Sequence, residues 1–195
     1  MANVATARAF FGLGNDLSDK ELLQLTASEN RRKLKDFLAA LAPQIPEPKV
    51  TSYWIAIRHG DNFAKRLKTL ACDWGNEWIT EKNTPVRVNK AKGTEKKEVF
   101  VIHFDRRIET SEEVVEAMAA LGYKPADHED LLAFGTDHPD AQREYPIVQL
   151  GSSWGRPGGG RVVSCLDGGG SGRGLGLNIW RGGWDSDCGF LAVRA

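Results

Sequence analysis

Residues 151–189 read GSSWGRPGGGRVVSCLDGGGSGRGLGLNIWRGGWDSDCG, and FLAVRA (190–195) follows. These 39 residues hold 14 of the chain's 21 glycines and contain no Lys, Glu, Gln, Met or His. All 12 lysines lie before residue 151. A segment this poor in long flexible side chains is neither a helix nor an ordinary solvated surface. Large apolar residues punctuate it: Trp154, Val163, Leu166, Leu175, Leu177 and Trp184, then Phe190, Leu191 and Val193. The spacing predicts short strands at 147–150, 161–166, 175–179 and 189–194, separated by glycine-rich turns. Alternate strand residues share a face. The apolar framework can therefore build a core while the small and polar residues between face solvent together.

Upstream, EVFVIHF (98–104) reads as a buried strand. Thr110 with Glu113 predicts a helix start, Val114, Val115, Met118, Ala119 and Leu121 follow, and Gly122 ends it. Asp127 predicts a second helix carrying Leu131, Leu132 and Phe134 toward Arg143, with a break at Gly135 or Pro139. A strand, two helices and several short strands make an α+β class, with antiparallel pairing and the last strand closing against residues 98–104. Nearer the start, Ser18 with Glu21 predicts a helix over 19–41, stopped by Pro43, Pro46 and Pro48. VTSYWIAIR (50–58) predicts a strand and 62–78 a helix with Trp74 on its apolar face. Lys82, Arg87, Lys90, Lys92, Lys96 and Lys97 mark a solvated loop or hairpin, with Val86 and Val88 a short strand. Three parts are expected: 1–49, a helical segment with a proline linker; 50–97, an α/β extension; and 98–195.

The 195 residues carry 26 Lys+Arg and 26 Asp+Glu, so the net charge is zero, against a nucleic-acid binder held by bulk charge. No apolar run reaches the roughly 18 residues that span a bilayer. The start lacks the basic and apolar regions of a secretory signal, which predicts a cytoplasmic setting. Cys72, Cys165 and Cys188 do not form a disulfide framework, and the C-x-x-C spacing of a zinc site is absent. Two isolated surface thiols are the plain reading of Cys165 and Cys188. His103 reads as a satisfied strand residue. His59, His128 and His138 pair with no carboxylate at metal-ligand spacing. Gly170–Gly174 offers glycines but lacks the lysine and following helix of a phosphate loop. No cofactor or metal is expected.

The motifs LLAFG (131–135), YPIVQLGSSW (145–154), Leu175-x-Leu177, Trp184 and FLAVR (190–194) together resemble the variable proteins of diversity-generating retroelements. The resemblance covers residues 112–195, a little under half the chain. It implies a C-type lectin fold over 98–195 and a non-catalytic, ligand-binding role. In that family a reverse transcriptase rewrites template adenines, turning AAY codons into NNY codons. Those cannot encode Lys, Glu, Gln, Met or Trp. The resemblance thus accounts for the absence of the first four from 151–189, and it makes the three tryptophans there fixed scaffold. The variable, ligand-contacting positions it implies are Gly155, Arg156, Val162, Cys165, Asp167, Gly168, Gly169, Gly176, Asn178, Arg181, Gly182, Gly183, Asp185, Asp187 and Cys188. The partner would be a protein or other macromolecule, with Arg156, Arg181 and Trp180 as possible anchors. Two other readings stay open. One is a calcium-dependent sugar-binding lectin using Asp167, Asn178, Asp185 and Asp187, although its Glu-Pro-Asn and Trp-Asn-Asp motifs are absent. The other is an oxidase resembling formylglycine-generating enzymes and using Cys165 or Cys188.

Overall fold

The computed structural model describes residues 47–85, 91–156, 158–169 and 172–195. The helix expected over 19–41 and the short strand at Val86 and Val88 lie outside these residues. Residues 46–195 form one unit. Its elements are β1 (Lys49–His59), α1 (Phe63–Leu70), β2 (Trp74–Gly75), β3 (Gly93–His103), α2 (Ser111–Ala120), β4 (Tyr123–Pro125), α3 (His128–Asp137), α4 (Ala141–Glu144), β5 (Ile147–Gln149), β6 (Trp154–Gly155), β7 (Arg161–Gly169), β8 (Gly172–Ile179) and β9 (Gly189–Arg194).

The strands join in one mixed sheet of order β1-β3-β9-β5-β7-β8-β2, with β4 on β9 and β6 on β7. The last strand pairs antiparallel with β3, Phe100 opposite Ala192. On its other side it runs parallel to β5, Val148 beside Phe190. Period-two alternation sends Val99, Val101, Ile147, Leu166, Leu191 and Val193 to one face, under α1 and α3. It sends Phe100, Ile102, Val148, Val163, Cys165, Phe190 and Ala192 to the other, with Val114 and Met118 of α2. Both faces of the central strands are thus buried, and the α+β class is observed.

The expected boundary at residue 97 does not divide the structure. β3 runs across it, and β1 pairs with β3 along its whole length, from Lys49 opposite His103 to His59 opposite Gly93. The end of the lysine-rich stretch, from Gly93 to Lys97, is therefore strand, and Lys97 donates to the buried Asp130 at 2.7 Å. The outer edge of β1 is partly capped. The Ala56 N–H donates to Asp137 Oδ2 at 2.6 Å, and the Trp54 carbonyl accepts from His138 Nε2 at 2.9 Å. These bonds blunt an edge that would otherwise invite another strand.

Both caps expected on α2 and α3 are formed. Thr110 accepts from the Glu113 N–H, and Asp127 and Asp130 make a reciprocal capping box. Gly122 adopts φ 82 after α2. The break toward Arg143 falls at His138–Asp140, and Gly135 lies inside α3, where a Cβ would meet Leu70 and Leu166 within 3.0 Å. α1 is shorter than expected. Ala71 turns left-handed at φ 51 and its N–H closes on the Leu67 carbonyl. Trp74 consequently leaves the helix and forms β2, parallel to β8.

A buried polar network locks the motif around Gln149 to α3. The Gln149 amide donates to the Ser152 carbonyl at 2.8 Å and to Ser164 Oγ at 3.1 Å. Ser164 Oγ also meets His128 Nδ1 at 2.7 Å, and the His128 N–H donates to Ser152 Oγ at 2.9 Å. Burial pushes the His128 imidazole down from 6.5 to about 4, so the fold holds it neutral. A depressed histidine contributes stability above its unfolded value near 6.5, and that contribution is lost as the pH falls toward 4. The full span is about 3 kcal/mol. Urea unfolding at pH 7 and at pH 4 should show the parent losing more stability than His128→Asn, by about that amount. Equal losses would show that His128 does not carry this dependence.

A candidate ligand-binding face on the C-terminal hairpin

The β7–β8 hairpin is in register from Val162–Ile179 to Gly169–Gly172. Pairing and alternation place Val163, Cys165, Asp167 and Gly169 of β7 with Gly174, Gly176 and Asn178 of β8 on the α2 side of the sheet. Trp74 joins this face from β2, opposite Gly174. Its indole lies over two glycines. A Cβ at Gly174 would fall on ring atoms Cε2 and Cζ2, and one at Gly176 would touch Cη2 at 3.6 Å. One face of the ring is thus covered by backbone, yet the residue is 40% exposed. Cys165 Sγ sits 3.1 Å from the position of a Gly176 Cβ. Cys188 packs partly buried against the same cluster, from the 181–188 loop.

That loop is hung from tryptophans. Trp180 and Trp184 are buried. The Trp180 indole N–H donates to Glu112 Oε1 at 2.7 Å and holds that carboxyl below its ordinary range. Ser111 Oγ donates to the Trp180 carbonyl at 2.6 Å and accepts from the Trp184 indole at 3.1 Å. Ile108 and Trp184 exchange backbone bonds of 2.9 and 2.7 Å. Arg161 stacks 3.7 Å above the Trp180 ring. Trp154 is half-buried, edge-on to His128 with ring centres 5.7 Å apart. All three tryptophans of 151–189 are structural, and Trp180 is no surface anchor.

The fifteen candidate positions fall into distinct environments. Gly155, Arg156, Gly169, Arg181, Gly183, Asp185 and Asp187 are exposed. Asp167, Gly182, Asn178 and Cys188 are half-buried. Asp185 is held by Arg107 at 2.9 Å. Three positions are corrected to the interior. Val162 is buried on the α3 side, Cys165 is buried beside Gly176, and Gly176 is buried under Trp74. Gly168 is also removed from the contact surface, because a Cβ there would fall 2.3 Å from the Gln142 carbonyl oxygen, backbone that cannot yield. Gly155 and Arg156 lie at the opposite end of the hairpin from Asp167–Gly169. Gly158, Gly159 and Gly160 all have positive φ (87, 92 and 100), so the turn itself requires them.

The thiols are not isolated surface groups. Burial is the main cause that pushes Cys165 up to about 12 and Cys188 to about 11, with Asp167 and Asp187 as further causes. Both remain protonated at neutral pH, which weakens them as nucleophiles and ligands. The Ser164–His128 pair is buried on both sides and meets no solvent. Among the described residues no group of three or more His, Cys, Asp or Glu side chains is placed to hold a metal. No described helix is long and apolar enough to cross a membrane. Sequence reasoning missed Trp74. Comparison with protein-family models, with characterised proteins and with solved structures finds no match to this chain.

Glycine geometry gives a direct test. Gly168→Ala should lose about 1–3 kcal/mol in urea unfolding, because the added methyl has backbone in its way. Gly155→Ala and Gly169→Ala meet nothing within 4 Å and should stay within about 0.5 kcal/mol of the parent. Equal costs at the three positions would contradict the packing described for Gly168.

Proposed function

We propose that this chain is a non-catalytic binding protein whose contact surface is the exposed part of residues 151–189. It would use a C-type lectin-like scaffold diversified by a retroelement. One observation carries the reading. Within a segment lacking Lys, Glu, Gln, Met and His, Trp180 and Trp184 turn inward while Arg181, Asp185 and Asp187 are exposed and Asp167 and Asn178 reach solvent in part. A fixed interior under an alterable exterior is what a display scaffold requires. The lectin-like scaffold is supported by the order strand, two helices, short strands and a closing strand that returns to β3.

The two rival readings have less support. A cysteine oxidase needs a thiol that ionises readily, and burial raises both Cys165 and Cys188. A calcium-held sugar would use Asp185, which Arg107 already engages.

The gene itself tests the proposal. The expected finding is a nearby near-identical copy of the 151–189 coding segment, differing only where that copy has adenine, with a reverse transcriptase gene beside it. Mismatches should fall at codons for exposed positions such as Arg181, Asp185 and Asp187, and spare those for Trp154, Trp180 and Trp184. No such copy, together with codons at Gly155, Asp167, Gly182 and Asp187 that break the NNY pattern, would overturn diversification.

A further inference from the structure

The binding-protein reading leaves open what chemistry the hairpin face would take, and Trp74 narrows it. Trp74 lies outside residues 151–189, so the diversification proposed above would not reach it. Its ring is laid over Gly174 and Gly176, leaving the opposite ring face toward solvent. Tryptophan offers the strongest aromatic face to a cation. In the same cross-strand row stands Asp167, opposite Gly174, which is itself opposite Trp74. Asp167 is half-buried and has no ionic partner among the described residues. The nearest basic side chain of the same strand is turned away from this row. Arg173 is buried on the other face, donating to the Gly135 carbonyl at 2.8 Å and to Gln142 Oε1 at 3.3 Å. Asp187 adds a further exposed carboxylate in the loop that carries Cys188.

An open indole face beside an unpaired carboxylate complements a flat, delocalised cation on an apolar stem. We propose that Trp74 and Asp167 form a receptor site for an arginine side chain presented by a basic segment of a protein partner. The guanidinium would stack on the indole and pair with the carboxylate. This rests on the binding-protein reading, and pairs a fixed indole with a carboxylate at a changeable position. Trp74 is then a contact residue, while Gly174 and Gly176 are positioning residues, since a side chain at Gly174 would displace the ring.

The probes are tetra-arginine, tetra-glutamate and maltotetraose, titrated into the full chain labelled at its tryptophan indoles for NMR. Trp74→Leu identifies the Trp74 resonance and still covers the two glycines. Tetra-arginine should shift that resonance saturably. Asp167→Asn should weaken its binding about threefold, and Trp74→Leu about tenfold. Tetra-glutamate and maltotetraose should leave the resonance in place. If maltotetraose moves it and tetra-arginine does not, the face binds ligands but the cation assignment is wrong. If none of the three moves it, the arginine site is overturned, while the diversification reading still stands or falls on the gene. An arginine response unchanged in Asp167→Asn would overturn the paired site and leave only nonspecific attraction.

Discussion

The position of β9 sets the rest of the structure. The last strand of the chain lies between β3, antiparallel, and β5, parallel. β1, β3 and β4 meet β5, β7 and β8 across this one strand in the sheet, while β2 lies at the far edge beside β8. Phe190 and Ala192 supply one core, Leu191 and Val193 the other. A strand buried on both faces tolerates no polar side chain without a partner, and β9 carries none before Arg194. Gly189 starts it because the Tyr145 ring and Val101 approach within 3.0 Å of where a Cβ would sit.

The hairpin beyond β5 has a divided role. Its inward residues are held by specific polar contacts rather than by bulk burial alone. Ser164 joins the Gln149 and His128 network, and Arg173 reaches the Gly135 carbonyl beneath α3. The solvent-reaching residues of the hairpin near Trp74 are small, acidic or amide, while Arg161 and Ile179 stand exposed at its far end. The 181–188 loop keeps its course through Trp180 and Trp184, whose indole N–H groups satisfy Glu112 and Ser111 at the start of α2. Side chains at 181, 185 and 187 are free of that task, apart from the Asp185–Arg107 pair. The scaffold and the surface thus use different residues of the same segment, which lets one change without the other.

Much of the architecture was legible in the sequence. β1, β3, β5 and β9, and both capped helices, follow from alternation and capping chemistry, and the closing pair of β3 with β9 follows from the strand order. What was not legible depends on partners. β2, β4 and β6 are two or three residues long and exist only because β8, β9 and β7 lie beside them. Trp74 continues the helical spacing of Phe63, Leu67 and Leu70, and nothing in Ala71 announces a left-handed turn. Two of the mistaken contact positions, Val162 and Cys165, share a cause. Alternation was expected to leave one face of β7 in water, yet Val162 through Leu166 are all buried. The α3 side and the Trp74–Cys188 side both cover that strand, so parity alone could not sort outward residues from inward ones.

The central claim is that residues 151–189 divide into a fixed interior and an alterable exterior. Saturation mutagenesis across this segment, scored by the fraction of soluble folded chain, tests it most directly. The account predicts broad tolerance at Arg156, Asn178, Arg181 and Asp187, and sharp intolerance at Ser164, Leu166, Arg173, Trp180 and Trp184. Tolerance spread evenly over both sets, or concentrated at the buried ones, would contradict it.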